Sequence, residues 1–410
     1  MNRKLSSGDI VYRNQRIHRL LGRRFMLSLW IVLLLLWCVL IRQSFTAMPL
    51  DEITLGGVQL HEWKRPFAFA GMTVGMIGCV LCLGSLFWFL LSFLTGADWN
   101  IRLRRVFAAT SWGFLPGVLI LVGTVGCLMP IIFPKVAVYW GGDGVGTGVQ
   151  AFGVLSFADW TWWNPAWLYV RMGGLVLIAW CMVQSWGTLS AKETIWKPAC
   201  YRVGSGLCLL LTVLLLGMLG MDIPGGIIGR GVLSMFPAYM VAYSLLASLA
   251  FVVFASVGVL RLNGGKSLPW NRLGGMLIAM VLIKAYLAYS QYMIPWYAEL
   301  PSEVSLWHGI CCSNWYGVLM VAFILQFLVP FLVLLFPALR RRPSVLVAVC
   351  ISILLGILSE ACCMCSSIVG DGLTSWSVWI PLLLLLAVLS IICCCSFLGT
   401  LSAFKAFPES

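Results

Sequence analysis

The sequence predicts an all-α transmembrane protein of about ten helices, with both termini on the cytoplasmic side. Three observations carry this. Of 410 residues, 61% are hydrophobic and only 10% charged, against about 25% charged in soluble globular chains. The apolar residues fall into ten runs, most of them near the roughly 20 residues that a helix needs to cross the hydrocarbon core. The basic residues gather in alternate connections between those runs.

The runs, in order, are Phe25–Ile41, Phe67–Leu94, Val106–Phe133, Trp167–Leu189, Tyr201–Met221, Phe236–Leu260, Trp270–Trp296, Asn314–Phe336, Ser344–Glu360 and Ser377–Leu398. The first is short, but Arg23, Arg24 and Arg42 flank it and can snorkel to both interfaces. It lacks a small-residue cleavage site and follows a basic stretch, so it reads as a retained span and not as a removed signal. Short connections leave no length for a sizeable soluble domain. The division is a basic tail over residues 1–24, one membrane domain over 25–400, and a short tail over 401–410.

Topology follows from the charges. The N-terminal tail, the second, fourth, sixth and eighth connections and the C-terminal tail together hold twenty Lys and Arg; the alternate connections hold five. Arg171 and Lys284, the other two, lie inside runs. Positive residues stay with the cytoplasm, which places both termini there. The net charge of +13 is thereby accounted for by topology and by contact with anionic headgroups, and no nucleic-acid partner is implied.

The large outer connection, residues 134–165, carries Trp140, Trp160, Trp162 and Trp163. Such tryptophans suit the membrane–water interface, with a docking surface for an outer partner as the alternative. Gly141–Gly148 is glycine-rich, but it lacks the strand–loop–helix context of a phosphate loop and reads as a turn.

Metal chemistry finds few ligands. His18, His61 and His308 are the only histidines, and all three are expected in tails or loops, so axial ligation of a membrane-embedded haem is not expected. The 16 cysteines show neither ferredoxin nor haem-attachment spacing. Cys79, Cys82 and Cys393–Cys395 lie in apolar runs, where a thiol behaves as a small hydrophobe. Cys311 and Cys312 on one side, and Cys362, Cys363 and Cys365 on the other, are expected near the outer face, where a disulfide is chemically permitted.

Ionisable groups at membrane depth are costly, which makes them the first functional candidates. Lys284 sits near the middle of its run, and Gln291 follows seven residues later on the same helix face. Arg171 lies in the outer third of the fourth run; Asp222 and Glu360 mark the outer ends of the fifth and ninth. Two readings stand open. These residues line a polar path or quinone-headgroup pocket, or Lys284 is half of a structural pair and the acids are helix-end residues in water.

The stretch from Lys284 to Glu303 is the most distinctive. Tyr289, Tyr292 and Trp296 form an aromatic stripe at helical spacing. Pro295 disfavours helix at Ile294, so the span is expected to kink or end there. Pro301, Ser302 and Glu303 suit the first turn of a short surface helix, with the carboxylate at its positive end.

The run Ala288-Tyr-Ser-Gln-Tyr-Met-Ile-Pro-Trp-Tyr-Ala-Glu-Leu-Pro-Ser-Glu303 resembles the signature of the second large membrane subunit of alternative complex III, a relative of the NrfD-like, polysulfide-reductase-type quinol-interacting proteins. Ser290, Gln291, Tyr292, Trp296, Tyr297, Glu299, Pro301 and Glu303 carry the likeness. Pro295 and Ser302 depart from it, and Lys284 stands where an aromatic or apolar residue is expected, marking a divergent member. The resemblance implies two four-helix bundles plus two peripheral helices in a bacterial inner membrane. It also implies a place in a quinol:electron-acceptor oxidoreductase using menaquinol or ubiquinol. Iron–sulfur clusters and multihaem cytochromes would sit on partner subunits, beside a homologous sister membrane subunit, and this chain would hold no redox centre. A multi-pass transporter and a purely structural anchor are the competing readings.

Overall fold

The computed structural model describes residues 58–95, 98–132, 170–174, 177–179, 181–182, 198–228, 235–263, 269–298, 313–370 and 376–405. Every regular element among them is helical. In chain order they are α1 (Val58–Thr95), α2 (Asp98–Ile132), α3 (Pro198–Ile228), α4 (Phe236–Asn263), α5 (Trp270–Ala298), α6 (Trp315–Phe323), a π-helical turn (Ile324–Leu328), α7 (Val329–Leu335), α8 (Pro337–Arg340), α9 (Pro343–Met364) and α10 (Trp376–Lys405). Residues 170–174 and 177–179 are also helical.

Among the described residues seven spans are long and apolar enough to cross a bilayer: those in α1 to α5, the combined α6–π–α7 segment, and α9. The chain is an all-α integral membrane protein. Nine of the ten expected runs fall at least partly on helix, and the first, Phe25–Ile41, lies outside the described residues. So does the tryptophan-rich 134–165 connection with its glycine run.

α1 is the central post, packing against α2, α3, α4 and α10. Glycines let its backbone approach α2. A Cβ on Gly75 would meet the Leu121 backbone at 2.6 Å, and one on Gly78 would collide with Gly117. Gly71 faces Thr124 in the same way, and the Cys82 thiol donates to the Ser111 carbonyl at 3.2 Å. The pairs 71/124, 75/121, 78/117 and 82/111 run in opposite directions, so the helices are antiparallel along a stripe of small residues. Such stripes drive helix contact in lipid, where no hydrophobic effect separates helix from solvent. On the α4 side, the Trp88 indole donates to the Leu245 carbonyl at 3.1 Å.

A second group forms where α4, α5, α6–α7 and α9 close on one another, with α4 also packed against α1 and α3. Two expectations are corrected here. Pro295 neither ends α5 nor breaks it at Ile294, since the helix continues to Ala298; the lost bond lies in the last turn, where interruption costs least. His61 falls in the first turns of α1 and not in a loop, ahead of the apolar span that begins at Arg65. His18 and His308 lie outside the described residues.

Candidate functional site

Three helices bring polar side chains to one point because each places them on its buried stripe. On α5 the buried positions Leu273, Leu277, Val281, Lys284 and Gln291 recur at three, four or seven, the spacing of one helix face. Lys284 therefore points inward. On α9 the same logic joins Leu346, Val349, Ile353, Ile357 and Glu360. Phe236, Tyr239 and Tyr243 do so on α4.

The fourth contributor needs a local distortion. Ala322, Gln326, Pro330 and Leu334 are all buried at a uniform spacing of four, which overshoots the 3.6-residue α-helical turn. A π turn corrects the drift: the Val329 N–H reaches back five residues to the Ile324 carbonyl. The Leu325 carbonyl this releases accepts from the Ser352 hydroxyl at 2.8 Å. Pro330, lacking an N–H, makes no demand on the Gln326 carbonyl. Gly356 of α9 completes the seat, because a Cβ there would collide with the Gln326 side chain. Such π turns recur at functional sites.

At the centre, Glu360 is fully engaged. Its Oε2 accepts from Lys284 Nζ and from Gln326 Nε2, each at 2.8 Å. Its Oε1 accepts from the Tyr239 hydroxyl. Lys284 Nζ lies 5.3 Å from the centroid of the Tyr239 ring and 6.0 Å from that of Tyr243, within cation–π reach. The Tyr243 hydroxyl donates to the Ile357 carbonyl at 2.7 Å, fixing that ring. Taking two charges out of water is repaid only by good geometry and added hydrogen bonds, and the cluster supplies both.

This cluster closes one end of a cavity of about 340 Å³, within the range of small-molecule sites. Gln291 joins Lys284, Gln326, Tyr239 and Glu360 in its lining, and Phe236, Leu319 and Phe327 give apolar walls. Tyr289, Tyr292, Met320 and Phe323 frame it and are each more than a third exposed, so it opens on the apolar flank between α5 and α6. The arrangement suits a molecule with a flat polar head and an apolar tail.

The other expected residues sort themselves around this cavity. Arg171 and Asp222 form a separate two-point ion pair at 2.9 and 3.1 Å, joining the helical residues 170–174 to α3. Of the reading that made Lys284 half of a pair and the acids solvated helix-end groups, the pairing is found, with Glu360 at 2.8 Å, and the solvation is corrected: Asp222 and Glu360 are 2% and 7% exposed and carry Arg171 and Lys284. Ser290 bonds back to the Tyr286 carbonyl. Trp296 and Tyr297 are exposed on α5. Glu299, Pro301 and Glu303 lie outside the described residues, as do Cys311 and Cys312; Cys362, Cys363 and Cys365 are buried free thiols.

Gln326, Tyr239 and Tyr243 are absent from the sequence-derived candidates. A count restricted to ionisable groups passes over them. The signal for Gln326 is its position as the one amide in the interior of the Asn314–Phe336 run, four residues before a proline. Among the described residues no group of three or more His, Cys, Asp or Glu could hold a metal ion. No protein-family model and no curated protein matches the chain.

Proposed function

We propose that this chain is a membrane subunit of a quinol:electron-acceptor oxidoreductase, and that the cavity between α5, α6 and α9 receives the headgroup of menaquinol or ubiquinol. The observation that carries the reading is the Lys284–Glu360–Gln326–Tyr239 cluster at the closed end of an apolar, flank-opening cavity. A hydroxyl or carbonyl at that end meets an amine, a carboxyl, an amide and a phenol, while the tail lies between helices. The 2.8 Å amine–carboxyl contact also offers a proton a short transfer distance next to the bound head.

The resemblance at Ala288–Glu303 supports the same reading, because Gln291 and Tyr292 of that run line the cavity. In this account iron–sulfur clusters and multihaem cytochromes belong to partner subunits, alongside a sister membrane subunit. The twenty-to-five distribution of basic residues supports cytoplasmic termini in a bacterial inner membrane. The interrupted α6–α7 span beside a charged pair favours a second reading, a transporter with a midplane site.

Gentle solubilisation of native membranes and purification through this chain separates the two. The proposal expects a co-purifying multihaem cytochrome that is reduced on addition of quinol. A chain that emerges alone, free of haem and silent to quinol, would sink the assignment and leave the transporter.

A further inference from the structure

A second cavity lies at the opposite end of α5, remote in sequence from Gln291. It has a volume of about 310 Å³ and is lined by Pro269, Trp270, Asn271, Arg272 and Arg341. Arg340 ends α8, and Arg341 and Arg342 form the turn that leads to Pro343 at the start of α9. Four arginines thus gather where α5 and α9 begin, and both helix N-termini add positive potential of their own.

Nothing described neutralises this charge. The described ion pairs occupy Asp222 and Glu360 with Arg171 and Lys284. Arg340 is held firmly: its stem crosses α5 at Gly274, where a Cβ would come within 3.0 Å of it. Its Nε is nonetheless buried without a hydrogen-bond partner. Arg340 does not itself line the cavity, but its neighbour Arg341 does, together with Arg272, and guanidinium groups gathered around a cavity with no described carboxylate beside them suit an anion.

We propose that this cavity binds the phosphate headgroup of an anionic phospholipid. The shared chemistry is a phosphate oxyanion, and the setting selects a lipid over free phosphate. Trp270 is an interfacial type of side chain, and it opens an apolar helix whose outer face exposes Leu282 and Ile283. A headgroup seated at Arg272 and Arg341 can lay its chains along that face.

The test uses the full chain purified in mild detergent, with lipid adducts quantified by native mass spectrometry. Phosphatidylglycerol and phosphatidylcholine of identical chain length are the probes, with millimolar inorganic phosphate as competitor. The expected result is preferential retention of phosphatidylglycerol. Arg341→Gln should weaken it about fivefold, and Arg272→Gln with Arg341→Gln more than tenfold. Phosphatidylcholine binding and thermal unfolding should stay unchanged. Arg341 is exposed in a turn, so the single variant tests the site even where the double one folds poorly. Equal weakening by Arg202→Gln at the start of α3 would replace the site with diffuse attraction and overturn the proposal. So would unaltered phosphatidylglycerol binding in Arg341→Gln. Full displacement by inorganic phosphate would reassign the cavity to a soluble anion.

Discussion

Lys284 and Glu360, 76 residues apart in the chain, meet at 2.8 Å inside the helix bundle, and the same carboxylate takes hydrogen bonds from Gln326 and Tyr239. An ion pair with this environment behaves asymmetrically. Removing one partner strands the other's charge, at a cost of about 3–5 kcal/mol, whereas replacing both can be close to neutral. Lys284→Met alone should therefore lower thermal stability in detergent markedly. Adding Glu360→Gln should restore most of it. A double variant as unstable as the single one would show that the loss comes from packing and not from charge.

The seat of Gln326 gives a second expectation. Gly356→Ala places a methyl group against the Gln326 side chain and should destabilise by about 1–3 kcal/mol through overpacking. Gln326→Ala removes the obstacle, so the two changes should be strongly non-additive in a double-mutant cycle. Simple addition of the two effects would mean that Gly356 and Gln326 do not share a space.

How much of this was legible beforehand differs between levels. Hydropathy placed the spans, because a bilayer leaves few solutions for a 20-residue apolar run, and helical periodicity put Lys284 and Gln291 on one face. The partner of Lys284 was not legible: Glu360 lies in another span, and no local pattern encodes which helices touch. Position alone made Glu360 and Asp222 look like helix-end groups, yet each is buried because α9 and α3 run several residues beyond them. Gln326 was hidden by being neutral. The Gly71, Gly75 and Gly78 stripe was visible as spacing, and only the facing Gly117 and Leu121 give it meaning.

That stripe yields a third prediction. Gly78→Val inserts a branched side chain where the Gly117 backbone sits, so α1 and α2 must separate and stable membrane expression should fall sharply. Gly173→Ala, where no packing neighbour among the described residues lies within 4 Å of the added Cβ, should leave expression unchanged. Fluorescence-detected size exclusion reads both, and a monodisperse Gly78→Val peak would contradict the packing described for α1.

The Arg171–Asp222 pair makes a fourth. Both groups are nearly buried, with side chains 13% and 3% exposed. Asp222→Ala removes this carboxylate from the nearly buried guanidinium and should cost about 3 kcal/mol. Hydrogen exchange should quicken at residues 170–174 while that of α9 stays unchanged. Uniform acceleration across both would show that the pair stabilises the whole domain and not this joint.

The central claim is that the cavity ending at Lys284 and Glu360 holds a quinol headgroup. Its most direct test is equilibrium binding of a short-tailed quinol to the purified chain in nanodiscs, comparing the natural sequence with the charge-balanced Lys284→Met, Glu360→Gln variant. Saturable binding at one site per chain is expected, weakened about tenfold in the variant through the loss of one or more charge-assisted hydrogen bonds. Absence of saturable binding, or equal affinity in the two proteins, would contradict it.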